Sequence, residues 1–191
     1  SQRGQAIFLC EPRNDSTNTK GSLVEFESRK TSRSTLSTTV SELYVLIKRH
    51  GACQMLRGLW MDISAMAAEI HMRTDANNLV TTASTTHLPE QGETIHMINQ
   101  LRTEANSGSL DDLAHVSTTE QLADVLTKRD CSPKFAIEAV ETGRLNTCDK
   151  NIPFREMMKD KHKAFFTTWL YTKLELSSSN GGQIFLWSCS R

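Results

Sequence analysis

The chain predicts an α/β fold with a mixed sheet, and three observations carry that expectation. Stretches of two-residue alternation and stretches of helical spacing take turns along the sequence. The first two alternating stretches flank a polar turn cluster, as in a β-hairpin. After the hairpin, strand-like and helix-like segments alternate, which favours helices layered on a sheet.

Gly4 to Cys10 alternates Ala6, Phe8 and Cys10 against Ile7 and Leu9. Arg13 to Gly21 is polar and reads as a long turn, and Ser22 to Ser28 alternates charged and apolar residues. From Thr38 the period changes: Leu43, Leu46, Ile47, Leu56, Leu59, Trp60 and Ile63 lie near helical spacing. Gly51 interrupts this stretch at a cost of about 1 kcal/mol relative to Ala, so a break or two consecutive helices is expected. Glu69 to Thr74 reads as a short strand with Ile70 and Met72 on one face, ending at Asp75-Ala76-Asn77-Asn78, which is helix-starting chemistry. Helices are expected over Asn77 to Thr82 and Ile95 to Ala105, with Asn106-Ser107-Gly108 as the stop, and a strand over Leu110 to Val116. Thr118-Thr119-Glu120-Gln121 has the spacing of a capping box, which predicts a helix over Glu120 to Lys128.

Composition bounds the function. Of 191 residues, 22 are basic and 22 acidic, a formal charge of zero. That excludes a histone-like nucleic-acid binder and an acidic tail protein, but leaves room for a small basic face. Leu, Ile, Val and Phe number 42, only slightly above the roughly one fifth below which chains tend to disorder, so a core is expected for part of the length. No apolar run approaches the roughly 18 residues of a membrane span. One run of four, Ile184 to Trp187, lies near the last residue. Cys10, Cys53, Cys131, Cys148 and Cys189 are widely spaced without a CxxC pair, the pattern of reduced thiols rather than of a disulfide frame or zinc site. Charge is uneven: residues 1 to 128 carry 12 basic and 15 acidic side chains, residues 129 to 191 carry 10 and 7. A domain boundary is therefore expected near Arg129, dividing 1–128 from a C-terminal extension, 129–191. Met157, Met158, Phe165, Phe166, Trp169, Leu170 and Leu174 predict an amphipathic helix within Phe154 to Leu176. Lys159, Lys161 and Lys163 read as its solvated face or as nucleic-acid contacts. Ser177 to Gly182 reads as a linker, and Gln183 to Arg191 as a stretch resembling nothing identifiable.

Three carboxylates stand at element ends. Glu42 lies in the first turns of a helix among Val40, Leu43 and Leu46; Asp75 ends a strand; Asp124 lies between Leu122-Ala123 and Val125-Leu126. Open α/β sheets gather functional groups at the carboxyl ends of strands. A carboxylate among apolar residues needs positive compensation, which Mg²⁺ or Mn²⁺ supplies through oxygen ligands. The plainer readings are a helix-dipole charge for Glu42, a cap for Asp75 and a solvated helix residue for Asp124. Spacing alone does not choose between them.

The motifs resemble those of one family. Ser34 to Leu43 resembles the serine-rich helix entry of the ribonuclease H domain in copia-type retrotransposon Pol polyproteins, with Glu42 matching a catalytic Glu. Phe26-Glu27-Ser28-Arg29-Lys30 is similar to that family's Trp-x-Ser-x-Lys strand end, with Phe26 replacing Trp. Thr74 to Leu79 resembles its strand-ending Asp and following helix, and Gln121-Leu122-Ala123-Asp124-Val125-Leu126-Thr127-Lys128 its Ala-Asp-x-Leu-Thr-Lys signature.

The resemblance implies a ribonuclease H-like mixed five-stranded sheet flanked by helices, with a partly helical extension after it. It implies hydrolysis of the RNA strand of RNA–DNA hybrids by two divalent metals, Mg²⁺ or Mn²⁺, with Glu42, Asp75 and Asp124 as catalytic metal ligands. Hybrids are read by shape, phosphate and 2′-OH, and Arg29, Lys30 and Arg33 are the candidate phosphate contacts, a solvated basic turn being the other reading. The partners implied are the hybrid and the reverse-transcriptase domain of the same polyprotein. The implied location is the element's cytoplasmic virus-like particle, with nuclear access. The family's fourth carboxylate belongs on a strand that would precede Ser1, so an N-terminally truncated domain with an inactive site is expected. A nucleic-acid-binding module without cleavage, or a non-functional relic, is the alternative. His115, which stands where the family has an aromatic, is expected to be a core or surface His.

Overall fold

The computed structural model describes residues 2–11, 18–30, 38–85, 92–117, 120–128, 132–146 and 182–190. Its elements run β1 (Gln2–Cys10), β2 (Asn18–Lys30), α1 (Thr38–Ser64), β3 (Glu69–Thr74), α2 (Asn77–Ser84), α3 (Gly92–Asn106) and β4 (Asp112–His115). A 3₁₀ turn (Leu122–Leu126), α4 (Lys134–Thr142), β5 (Arg144–Asn146) and β6 (Gln183–Ser190) follow. The fold is α/β with a mixed sheet, and the strand count corrects the expectation from five to six: the order is β4-β3-β6-β1-β2-β5.

The sixth strand is the one for which the sequence offered no match. β6 pairs antiparallel with β1, from Arg3↔Ser190 to Cys10↔Gln183, and parallel with β3, from Glu69↔Gln183 to Thr74↔Ser188. Both neighbours of β6 thus have backbone groups paired with it. Its composition explains its place. A strand covered on both faces reads as an unbroken apolar run, and Ile184, Phe185, Leu186 and Trp187 are all at most 1% exposed. Residues 129–191 therefore contribute α4, an edge strand (β5, on β2) and the central strand to the sheet that carries residues 2–30. The helix expected within Phe154 to Leu176, Lys159, Lys161 and Lys163, and most of the expected linker lie outside the described residues.

The two faces of the sheet carry different cores. On one, Ile7, Ile70, Met72, Ile184 and Leu186 meet Leu43, Leu46 and Cys53 of α1 and Leu101 of α3. On the other, Ala6, Phe8, Phe185 and Trp187 meet Leu122 and Ala123 of the 3₁₀ turn and Ala139 of α4. Phe8 and Trp187 pack edge to face at 5.3 Å between ring centroids, the preferred aromatic geometry.

Several local expectations change. α1 runs unbroken through Gly51, an exposed position where a Cβ would meet no atom within 4 Å, so the glycine's cost is intrinsic and the flanking turns absorb it. The helix expected over Glu120 to Lys128 is instead the short 3₁₀ turn, and Gln121 at its entry makes no side-chain cap. Thr118 and Thr119 of the expected capping box lie outside the described residues.

Candidate functional site

Asp75 is the first residue after β3, held where strand turns into α2. The Thr74 hydroxyl accepts from the Ala76 amide at 3.2 Å and, in the same buried position, donates to Glu42 Oε2 at 3.4 Å. Glu42 belongs to α1, where Val40, Leu43 and Leu46 pull that face onto the sheet and carry the carboxylate under with them. Thr74 is therefore the link between two of the candidate acids.

Asp124 reaches the same end of the sheet by a different route. The 3₁₀ turn lies directly over β1 at Gly4, where a Cβ would stand 2.6 Å from the Ala123 carbonyl oxygen. Only a residue without a side chain lets the turn settle there. Two further hydrogen bonds hold the turn: the Gln121 amide donates to the Ser188 carbonyl of β6 at 2.8 Å, and the Ser28 hydroxyl of β2 donates to the Leu126 carbonyl. Asp124 is buried, with one carboxylate oxygen on the Lys128 ammonium and the other buried without a hydrogen-bond partner.

Electrostatics tie these groups together. Asp75 has its pKa raised, first by burial and then by the Asp124 charge, with Lys128, a backbone hydrogen bond and His115 opposing. Asp75 and Asp124 thus lie within each other's field. His115 stands at the exposed end of β4, near enough to act on Asp75.

A divalent metal would need several oxygen ligands converging on one point. Among the described residues no group of three or more His, Cys, Asp or Glu side chains is placed to hold a metal ion. One oxygen of Asp124 is engaged by Lys128. β6, whose segment Gln183 to Ser190 contains no Asp or Glu, adds no carboxylate to Glu42, Asp75 and Asp124.

The expected phosphate contacts divide. Arg29 is exposed at the end of β2 and ion-paired with Glu27, and Lys30 is exposed beside it. Arg33 lies outside the described residues. Sequence reading did not single out Lys128, although its spacing of four residues from Asp124 was visible. Nor did it single out Gln121 as the anchor to β6, which no local pattern signals.

No family model, curated protein or solved structure matches the chain.

Proposed function

We propose that this chain is the ribonuclease H-type region of a copia-type retrotransposon Pol polyprotein, and that it binds RNA–DNA hybrids. The observation that carries the reading is that Glu42 is hydrogen-bonded to Thr74, the residue before Asp75 at the carboxyl end of β3, while the Asp124 charge acts on Asp75. The three carboxylates come from distant parts of the chain, in the sequence order of the motifs they belong to. Intact domains of this kind hydrolyse the RNA strand using two Mg²⁺ or Mn²⁺ ions. Here Glu42, Asp75 and Asp124 supply three carboxylates, and β6 supplies none. The reading favoured for this chain is hybrid recognition without cleavage, with the reverse-transcriptase domain as its neighbour and the element's particle as its setting.

The test is titration of the full chain into a labelled RNA–DNA hybrid, with duplex DNA as competitor, across a salt series and with Mg²⁺ or Mn²⁺ present. Expected are salt-sensitive binding, preference for the hybrid and no cleaved RNA. Equal affinity for both duplexes, or affinity that does not fall with salt, would overturn hybrid recognition. Metal-dependent cleavage that survives Asp75→Asn would show that these carboxylates are not the site.

A further inference from the structure

A basic cleft opens on the α1 side of the hairpin, lined among others by Arg3 and Gln5 of β1, Glu27 and Arg29 of β2, and Lys48 and Arg49 of α1. Its charges are unequally committed. Arg49 is spent on Glu25, at 2.8 Å, and on Glu27, and Arg29 also pairs with Glu27. Glu27 further accepts from Gln5. Arg3 and Lys48 form no ion pair with a carboxylate among the described residues. The Arg3 guanidinium lies 5.6 Å from the centre of the Tyr44 ring, while its Nε is buried without a hydrogen-bond partner. With Nε closed off, an oxyanion in the cleft would meet the guanidinium through its terminal nitrogens.

We propose that this cleft is a subsite for one phosphate group, with Arg3 as its oriented donor and Lys48 as its point charge. The ion-paired Arg49–Glu27–Arg29 cluster lines it beside them. The chemistry favours phosphate because a planar guanidinium presents paired N–H donors to a tetrahedral oxyanion, and a flexible ammonium adds charge from another side. No aromatic face among the residues lining the cleft is offered to a base, so the group is read without regard to sequence.

The cleft's position links it to the carboxylates. Gln5 is the register partner of Ser188, which in turn pairs with Thr74 beside Asp75. Val45 and Arg49, three and seven residues after Glu42, continue the same face of α1. Identifying the phosphate as a phosphodiester of a bound strand rests on the hybrid-binding reading above.

Two measurements on the full chain test this. The Arg3 Nε–H resonance is followed by ¹⁵N NMR during titration with inorganic phosphate, for the unaltered chain and for Lys48→Gln. Hybrid affinity is then measured over a salt series for the unaltered chain, Arg3→Gln, Lys48→Gln and Lys134→Gln. Lys134 lies on α4, on the other face of the sheet. The expected result is a saturable Arg3 shift whose affinity Lys48→Gln weakens at least fivefold. Hybrid affinity should fall several-fold in the Arg3 and Lys48 variants, with a salt slope about one unit shallower for each, while Lys134→Gln leaves both unchanged. An Arg3 resonance unmoved by millimolar phosphate overturns the subsite, as does Lys134→Gln matching Lys48→Gln. A Lys48-dependent Arg3 shift in a chain that binds no hybrid supports the subsite and overturns hybrid recognition instead.

Discussion

Asp75 and Asp124 meet the same desolvation in opposite ways. Asp124 is sunk in the 3₁₀ turn with the Lys128 ammonium on one oxygen, whereas Asp75 is half-buried and has Asp124 as a repelling neighbour. The raised pKa of Asp75 means that the folded chain holds its proton more tightly than the unfolded chain does. Ionised Asp75 therefore destabilises the fold above its folded pKa, and the penalty disappears as pH falls below the ordinary carboxylate value. Asp75→Asn should accordingly raise the melting temperature at neutral pH, and the two melting curves should converge in acid. A variant that melts lower than the unaltered chain at pH 7 would contradict this. A second buried charge pair behaves differently. Arg73 and Asp112, on the neighbouring strands β3 and β4, lie 3.0 Å apart at no more than 1% exposure, with the Arg73 guanidinium 5.1 Å from the Phe185 ring centre. Asp112→Ala should destabilise the chain by roughly 3–5 kcal/mol in chemical denaturation, because it strands a buried guanidinium.

At the scale of elements, β3 shows how a period can be read correctly and its meaning missed. Ile70 and Met72 do share a face, as the alternation predicts. The intervening His71 and Arg73 would ordinarily mark a solvated face, yet both are fully buried. The cause is β6: Phe185 stacks on His71 at 4.7 Å and lies beside Arg73. β3 itself, α2 and the hairpin were legible because their signals are local, namely alternation, turn residues and helix starts. The position of β6 was not, because a four-residue apolar run says that a strand is buried without saying between which neighbours. The 3₁₀ turn was misread as a helix because its fixing contacts, at Gly4, Ser28 and Ser188, come from strands far away in sequence. Leu186 is wholly buried in the middle of β6, so Leu186→Ala should cost about 2–5 kcal/mol. The loss belongs in the global transition, not in a fraying terminus. A change below about 1 kcal/mol in the urea-unfolding free energy would show that β6 is loosely held.

For the molecule as a whole, the candidate site was legible as a list of residues and illegible as a place. Glu42, Asp75 and Asp124 are candidates from their places at element ends and from the resemblance, and the Asp124 charge acts on Asp75. Arg3 and Lys48, by contrast, come together only when β1 lies against α1, and no linear motif joins positions 45 residues apart. The same non-local character should govern folding rate. Sheets dominated by distant pairings fold slowly, since loop closure is unfavourable before contacts form. Refolding from urea should thus be slow, and amides of β1, β3 and β6 should gain hydrogen-exchange protection together. Early protection of β1 and β3 without β6 would refute that order.

That topology also sets a condition on synthesis. A ribosome delivers β1 through β5 first, yet the strand that separates β1 from β3 is encoded after all of them. Until the codons for Gln183 to Ser190 have been translated and their product has left the exit tunnel, the nascent chain holds two strand edges with nothing between them, the kind of exposed pairing surface that attracts other chains. Chaperone protection would be needed until β6 has emerged, and a ribosome stalled before Gln183 would carry an unfinished sheet however much of the chain it had already made.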